Sequence, residues 1–109
     1  MDRDISGDIK LEDERGEIIE ALKIHIGEVF RLIDKNMSEE ELSKTFCLQF
    51  IDPWGDTIFN RVQIGILIKE FENLFDKCQT KEEREKTRSI ITFISKAEEL
   101  HTFVRFYGD

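Results

Sequence analysis

The residues that could do chemistry are concentrated in one short stretch, FIDPWGDTIFN, which runs from position 50 to position 60. Asp52 and Asp56 lie four positions apart there, and their carboxylates are the kind of ligand that Ca²⁺ and Mg²⁺ prefer. Such ions need about six or more oxygen ligands, and an EF-hand loop places acidic or amide residues at alternating positions before a glutamate. That pattern is absent, so we predict no metal site at this stretch.

The same stretch matches the preferences of a tight turn. Asp52, the chain's only proline at Pro53 and Gly55 occupy the first, second and fourth positions that a type I turn favours. A proline also prevents a preceding strand from continuing as an inner strand. Asp56 and Thr57 can hydrogen-bond nearby backbone groups. We therefore predict a structural corner at residues 52–57.

Trp54 is the one corner residue without a predicted backbone role. We expect its ring to pack against Phe59 or Val62, because exposing so large an apolar side chain is unfavourable without a partner. An exposed Trp54 flanked by Asp52 and Asp56 would instead be the candidate anchor for a binding partner, since tryptophan is enriched among residues that dominate interface energies.

Other catalytic patterns are missing from the sequence. His25 and His101 are the only histidines, and neither belongs to an HExxH or zinc-ligand pattern. Cys47 and Cys78 form neither a CxxC motif nor a disulfide framework. There is no GxSxG nucleophile motif and no glycine-rich phosphate loop. We predict no catalytic residues and no cofactor, which favours a protein that is not an enzyme.

The charge balance restricts the class of partner. Of the 109 residues 24 are acidic and 16 are basic, which gives a formal net charge of −8. This excess argues against nucleic acid, whose binding depends on Lys and Arg at phosphates, and against an anionic membrane surface. It suits a basic protein partner, because complementary fields accelerate association. Acidity can also serve solubility alone.

Targeting features are also absent. The first ten residues, MDRDISGDIK, lack the apolar core of a signal peptide. No run approaches the roughly 18 apolar residues of a membrane helix. We expect a cytoplasmic protein with reduced thiols.

The clearest element is a helix over residues 61–78. Its apolar positions recur at helical spacing: Ile64, Leu67, Ile68, Phe71, Leu74, Phe75 and Cys78. Asn60 is a favourable N-cap, and Gln63 can complete a capping box. Phe71 lies in the middle of the stripe, so we predict that this residue is central to the core.

Elements on either side complete the C-terminal half. FCLQFID, residues 46–52, is short, apolar and aromatic and ends at the turn, which predicts a strand. A second helix over 81–100 begins at a capping box formed by Thr80 and Glu83. The β-branched and aromatic residues of 102–107 predict a last strand beside 46–52.

The N-terminal half leaves two readings open for residues 17–26. The stretch IKLEDERGEIIEALKI fits a hairpin that turns near Arg15 and Gly16, although part of it also fits one face of a helix. We favour the hairpin, followed by a helix near 27–35 and a short helical segment capped by Ser38 and Glu41.

These elements predict a single α+β domain over residues 1–109, with a flexible segment 1–7. Helices near 27–35, 61–78 and 81–100 would pack on a mainly antiparallel sheet of about four strands. The oligomeric state is not predicted.

The two ends of the C-terminal half resemble one family. FIDPWGDTIFN and the closing FVRFYGD look like motifs of small bacterial proteins that share Phe-Ile-Asp-Pro-aromatic-Gly-Asp-Thr-x-Phe-Asn and a C-terminal aromatic-x-Gly-Asp. The matching positions are 51–60 and 106–109. The resemblance implies an α+β fold and a bacterial origin, and it carries no activity.

Two hypotheses for function follow. The first is an acidic inhibitor, such as an immunity protein that neutralises a basic protein toxin, with Asp52, Trp54 and Asp56 as candidate contacts. The second is a small enzyme or ligand-binding domain with its site at the 52–57 corner and the C-terminal Tyr107-Gly108-Asp109, for which activity would be lost in Asp56→Ala without unfolding.

Overall fold

A computed structural model describes residues 5–108 of the chain. A four-stranded antiparallel sheet and four helices form one α+β fold, as predicted. In chain order the elements are β1 (Ile9–Glu12), β2 (Ile18–Leu22), α1 (Ile26–Asn36), α2 (Glu39–Ser43), β3 (Thr57–Phe59), α3 (Arg61–Lys77), α4 (Lys81–Leu100) and β4 (Phe103–Phe106). The predicted flexible segment 1–7 falls mostly outside the described residues.

The N-terminal half begins with the predicted hairpin. β1 and β2 pair antiparallel, so residues 17–26 do not form a single helix. Gly16 has φ of 81°, a left-handed conformation that favours glycine. The Asp13 carboxylate accepts hydrogen bonds from the Arg15 and Glu17 N–H groups, both at 2.9 Å. The turn chemistry therefore decides in favour of the hairpin.

The predicted strand at residues 46–52 is wrong. Leu48–Phe50 form a single 3₁₀ turn, and the third strand of the sheet is Thr57–Phe59, after the corner. The strand order is β2-β1-β4-β3. The last strand therefore lies between β1 and β3, not beside residues 46–52, and β3 forms one edge of the sheet.

Aromatic rings join the helices to the sheet. Phe71 of α3 and Phe106 of β4 are fully buried, and their rings are nearly parallel with centroids 6.4 Å apart. Phe59 meets Phe106 edge-on at 5.7 Å. Most of the predicted stripe of α3 is buried, whereas Ile68 and Phe75 are only partly covered. Leu100, the last residue of α4, is exposed.

All three predicted capping boxes are present. The Asn60 side chain accepts hydrogen bonds from the N–H groups of Val62 at 3.0 Å and Gln63 at 3.1 Å. The Gln63 side chain accepts from the Asn60 N–H at 2.9 Å. Equivalent boxes begin α2 at Ser38 and α4 at Thr80. The helix starts are thus fixed by local sequence.

Asn60→Ala should lower the free energy of unfolding by about 1 kcal/mol, because it removes the acceptor for two N–H groups of the first turn. Urea denaturation would measure this loss. Asn60→Asp keeps an acceptor oxygen and should remain close to the parent. An unchanged urea midpoint for the alanine variant would show that this cap contributes nothing to stability.

Candidate partner-binding corner

The corner after the 3₁₀ turn is closed by side-chain hydrogen bonds. The Asp52 carboxylate accepts a hydrogen bond from the Trp54 N–H at 2.9 Å. The Asp52 N–H in turn donates to the Thr57 hydroxyl at 2.9 Å. This arrangement places Asp52, Pro53 and Trp54 on the outside of the molecule, where all three are exposed.

The corner contacts the residues that follow β4. The Gly108 N–H donates to the Gly55 carbonyl at 3.0 Å. A Cβ at Gly108 would lie 2.4 Å from that oxygen and 2.6 Å from the Gly55 nitrogen, so only glycine fits. The two segments on which the family resemblance depends therefore form one structural unit. Asp109, the last residue of the second motif, lies outside the described residues.

Asp56 belongs to an ion-pair network on the sheet. Its carboxylate lies 3.4 Å from the Arg105 guanidinium, whose Nε is 2.9 Å from the buried carboxylate of Glu12. The Tyr107 hydroxyl donates to the same Glu12 carboxylate. Burial, reinforced by this hydrogen bond, raises the pKa of Tyr107 to about 12. The phenol therefore keeps its proton, and its hydrogen bond to Glu12, to a higher pH than a free tyrosine. Because Glu12 belongs to β1 and Arg105 to β4, the network links two strands.

Trp54 is 78% exposed. The predicted packing of its ring against Phe59 or Val62 is therefore wrong. Phe59, in β3, is buried on the face of the sheet that packs against α3, and Val62 is itself 78% exposed on the outer side of α3. The corner thus presents a large apolar ring to solvent.

Exposed apolar residues continue on both sides of Trp54 in the sequence. They occur at every fourth position: Phe46, Phe50, Trp54, Ile58, Val62 and Ile66. Phe46 is 75% exposed and Phe50 is 64% exposed. Both lie in the segment 46–52, which was predicted to be a strand. Residues 46–66 instead present apolar side chains outward from a turn, a corner, an edge strand and a helix.

A buried glutamate of α3 holds the first of these segments in place. One carboxylate oxygen of Glu70 accepts from the Phe46 N–H at 2.6 Å, and the other accepts from the N–H groups of Cys47 and Leu48, both at 3.0 Å. Sequence reasoning missed Glu70, because its only signal is an acidic residue next to Phe71 on the flank of the apolar stripe.

The two cysteines lie at opposite ends of α3. The Cys47 thiol lies 3.7 Å from the Gln63 carbonyl in the first turn of α3. Cys78 follows the last turn of that helix, and its thiol lies 3.3 Å from the Leu74 carbonyl. Both are free and buried. Burial, with Glu70 nearby, raises the pKa of Cys47 to about 11, so this thiol is poorly nucleophilic near neutral pH.

Away from the corner, the described surface carries few features of a ligand site. A cleft of about 200 Å³ lies between α1 and the start of α4, and its lining mixes both charges, including Glu28, Arg31, Lys35 and Lys86. Within residues 5–108 no three His, Cys, Asp or Glu side chains are grouped to hold a metal ion. No helix in that part of the chain is long and apolar enough to cross a membrane.

Comparison with protein-family models, curated proteins and solved structures found no match to this chain. The candidate site is therefore defined by its geometry alone. It consists of the exposed Trp54 ring, the exposed carboxylate of Asp52 and the carboxylate of Asp56 beside Arg105.

Proposed function

We propose that this chain is a non-enzymatic, acidic binding protein that neutralises a basic protein partner, as an immunity protein neutralises its toxin. The observation that supports the proposal best is the 78% exposure of Trp54 on a corner closed by hydrogen bonds. A ring held in solvent this way is available to a partner without rearrangement of the chain.

The physical basis is the low cost of ordering such an anchor. Binding energy is lost when loops and side chains must be immobilised at an interface. Here the hydrogen bonds of Asp52 to Trp54 and Thr57, and of Gly108 to Gly55, already fix the corner. A tryptophan that buries its apolar ring in a partner's pocket can then contribute most of its transfer free energy.

Charge supports a basic partner over a neutral one. The formal net charge of −8 would attract a positively charged protein over a distance. Asp52 uses one carboxylate oxygen to hold the Trp54 backbone and is itself exposed, so a partner's Lys or Arg can reach it. Association should therefore be fast at low salt and slower as salt is added.

The partner can be sought among proteins encoded beside this gene. Co-expression of the chain with each neighbouring basic protein would test for rescue of growth and for a purified complex. A neighbour that arrests growth alone but not together with this chain would support the proposal. If every basic neighbour proves harmless and fails to bind, neutralisation of a neighbouring toxin is excluded.

Trp54→Ala should weaken binding to that partner by at least about 2 kcal/mol, or about thirtyfold in Kd, as expected of an interface hot spot. Isothermal titration calorimetry would measure the change. Leu100→Ala is the matched control, because Leu100 is also an exposed apolar residue but lies at the end of α4, outside the corner and the β3 edge. Equal affinity of the Trp54 variant and the parent would place the interface elsewhere.

A further inference from the structure

The hydrogen bonds around β4 show which way the neighbouring backbone groups point. In an antiparallel ladder, successive residues of a strand bond alternately to one side and the other. The Tyr107 N–H donates to the Asp8 carbonyl at 2.8 Å, on the β1 side. The Gly108 N–H donates to the Gly55 carbonyl at 3.0 Å, on the β3 side. Even-numbered residues of β4 therefore bond to β3.

This alternation fixes the orientation of β3 as well. Thr57 is opposite Phe106 and Phe59 is opposite Val104, so Thr57 and Phe59 form the ladder with β4. The N–H and C=O groups of Ile58 must point the other way, to the open edge of the sheet. Outside the strand ladders, no backbone hydrogen bond to either group of Ile58 occurs within residues 5–108. One donor and one acceptor are thus available side by side at the edge.

Apolar and acidic side chains flank this pair of groups. Ile58 is 46% exposed, and Trp54 and Val62 precede and follow it at equal distance in the sequence, both 78% exposed. Asp52 is exposed, and the Asp56 side chain is partly exposed beside Arg105. An extended chain laid along the edge would therefore meet backbone hydrogen-bonding groups, apolar contacts and carboxylates together.

We infer that the β3 edge binds an extended, basic segment of the partner as an added antiparallel strand. This inference rests on the proposed function and specifies how the partner is recognised. Edge strands accept such segments through main-chain hydrogen bonds, while side-chain contacts provide selectivity. Charge selects the occupant: a second copy of this chain carries the same charge of −8, whereas a Lys- and Arg-containing segment is attracted.

Amide hydrogen exchange tests the open edge without any substitution. In the free protein the Ile58 amide should exchange much faster than those of Thr57 and Phe59, which are bonded within the sheet. Addition of a capped synthetic peptide that alternates lysine and valine should slow exchange at Ile58 by at least about tenfold, because the amide becomes bonded. The amides of α4 serve as the internal control and should not change.

A matched pair of variants tests the same hydrogen bond. Ile58→Pro removes the outward N–H and leaves the ladder to β4 intact. Proline is tolerated in an edge strand where the N–H faces away from the sheet. Ile58→Val keeps the N–H. The proline variant should bind the lysine–valine peptide about fivefold to tenfold more weakly, the effect of one net hydrogen bond, while the valine variant should bind like the parent.

Three results would overturn the inference. They are equal binding of a lysine–glycine peptide of the same charge, protection of Ile58 that grows with protein concentration when no peptide is present, and unchanged affinity of Ile58→Pro. The second result would identify another copy of the chain as the occupant. With the natural partner, loss of binding in Trp54→Ala but not in Ile58→Pro would leave the proposed function standing and exclude the added strand.

Discussion

Replacing Phe71 by alanine should lower the free energy of unfolding by about 3–5 kcal/mol. The side chain is fully buried and lies in the middle of α3, parallel to the ring of Phe106 at 6.4 Å. Its removal would leave a cavity between the helices and the sheet, which close packing cannot refill. For a domain whose total stability is about 5–15 kcal/mol, this loss is a large fraction of the total.

Urea denaturation followed by circular dichroism would measure the loss, and Phe50→Ala provides the matched control. The chemical change is identical, but Phe50 is 64% exposed, so that variant should stay within about 1 kcal/mol of the parent. A loss below about 1 kcal/mol for Phe71→Ala would mean that the stripe of α3 does not support the core.

The helices of this fold could be predicted because their signals are local. The apolar stripe of α3 repeats within a single helix. Each capping box lies within a few residues of a helix start, at Asn60, Ser38 and Thr80, and all three appear as predicted. The hairpin was likewise indicated by a glycine that takes a left-handed conformation at the turn. Such features depend on neighbours in the sequence and not on the tertiary fold.

Residues 46–52 could not be predicted because a distant residue determines their conformation. Their aromatic and apolar composition is typical of a strand. A strand needs another strand to bond its backbone, yet three of these N–H groups bond to the Glu70 carboxylate, 22 to 24 residues further along the chain. The strand that does form, Thr57–Phe59, has only three residues and too little pattern to be recognised.

Trp54 shows the limit of reasoning from the hydrophobic effect. Burial is the favourable default for a tryptophan, but this ring is 78% exposed on a corner whose backbone is held by the Asp52 carboxylate. The residue types of the candidate site were therefore predictable, whereas its exposure was not. The second hypothesis grouped the corner with the C-terminal motif, and Gly55 and Gly108 are in contact.

Glu70→Ala should lower the free energy of unfolding by about 3 kcal/mol, because three backbone N–H groups lose a charged acceptor. The two N–H groups of Cys47 and Leu48 belong to buried residues, so water cannot simply replace the carboxylate there. The Phe46 N–H lies nearer the surface and can be hydrated more easily, which limits the total. The measurement is urea denaturation of the variant and the parent.

Two further variants separate the role of this carboxylate from that of its charge. Glu72→Ala removes an exposed carboxylate from the same helix and should change stability by less than about 0.5 kcal/mol. Glu70→Gln keeps an oxygen for Cys47 and Leu48 but turns an amide N–H₂ toward the Phe46 N–H. Its loss of stability should therefore fall between those of Glu72→Ala and Glu70→Ala.

Chymotrypsin should cut Glu70→Ala after Phe46 or Phe50 faster than it cuts the parent, because the turn no longer bonds to α3. If stability and cleavage are both unchanged, packing of Cys47 and Leu48 alone holds the turn, and the carboxylate does not fix the aromatic side chains at this surface.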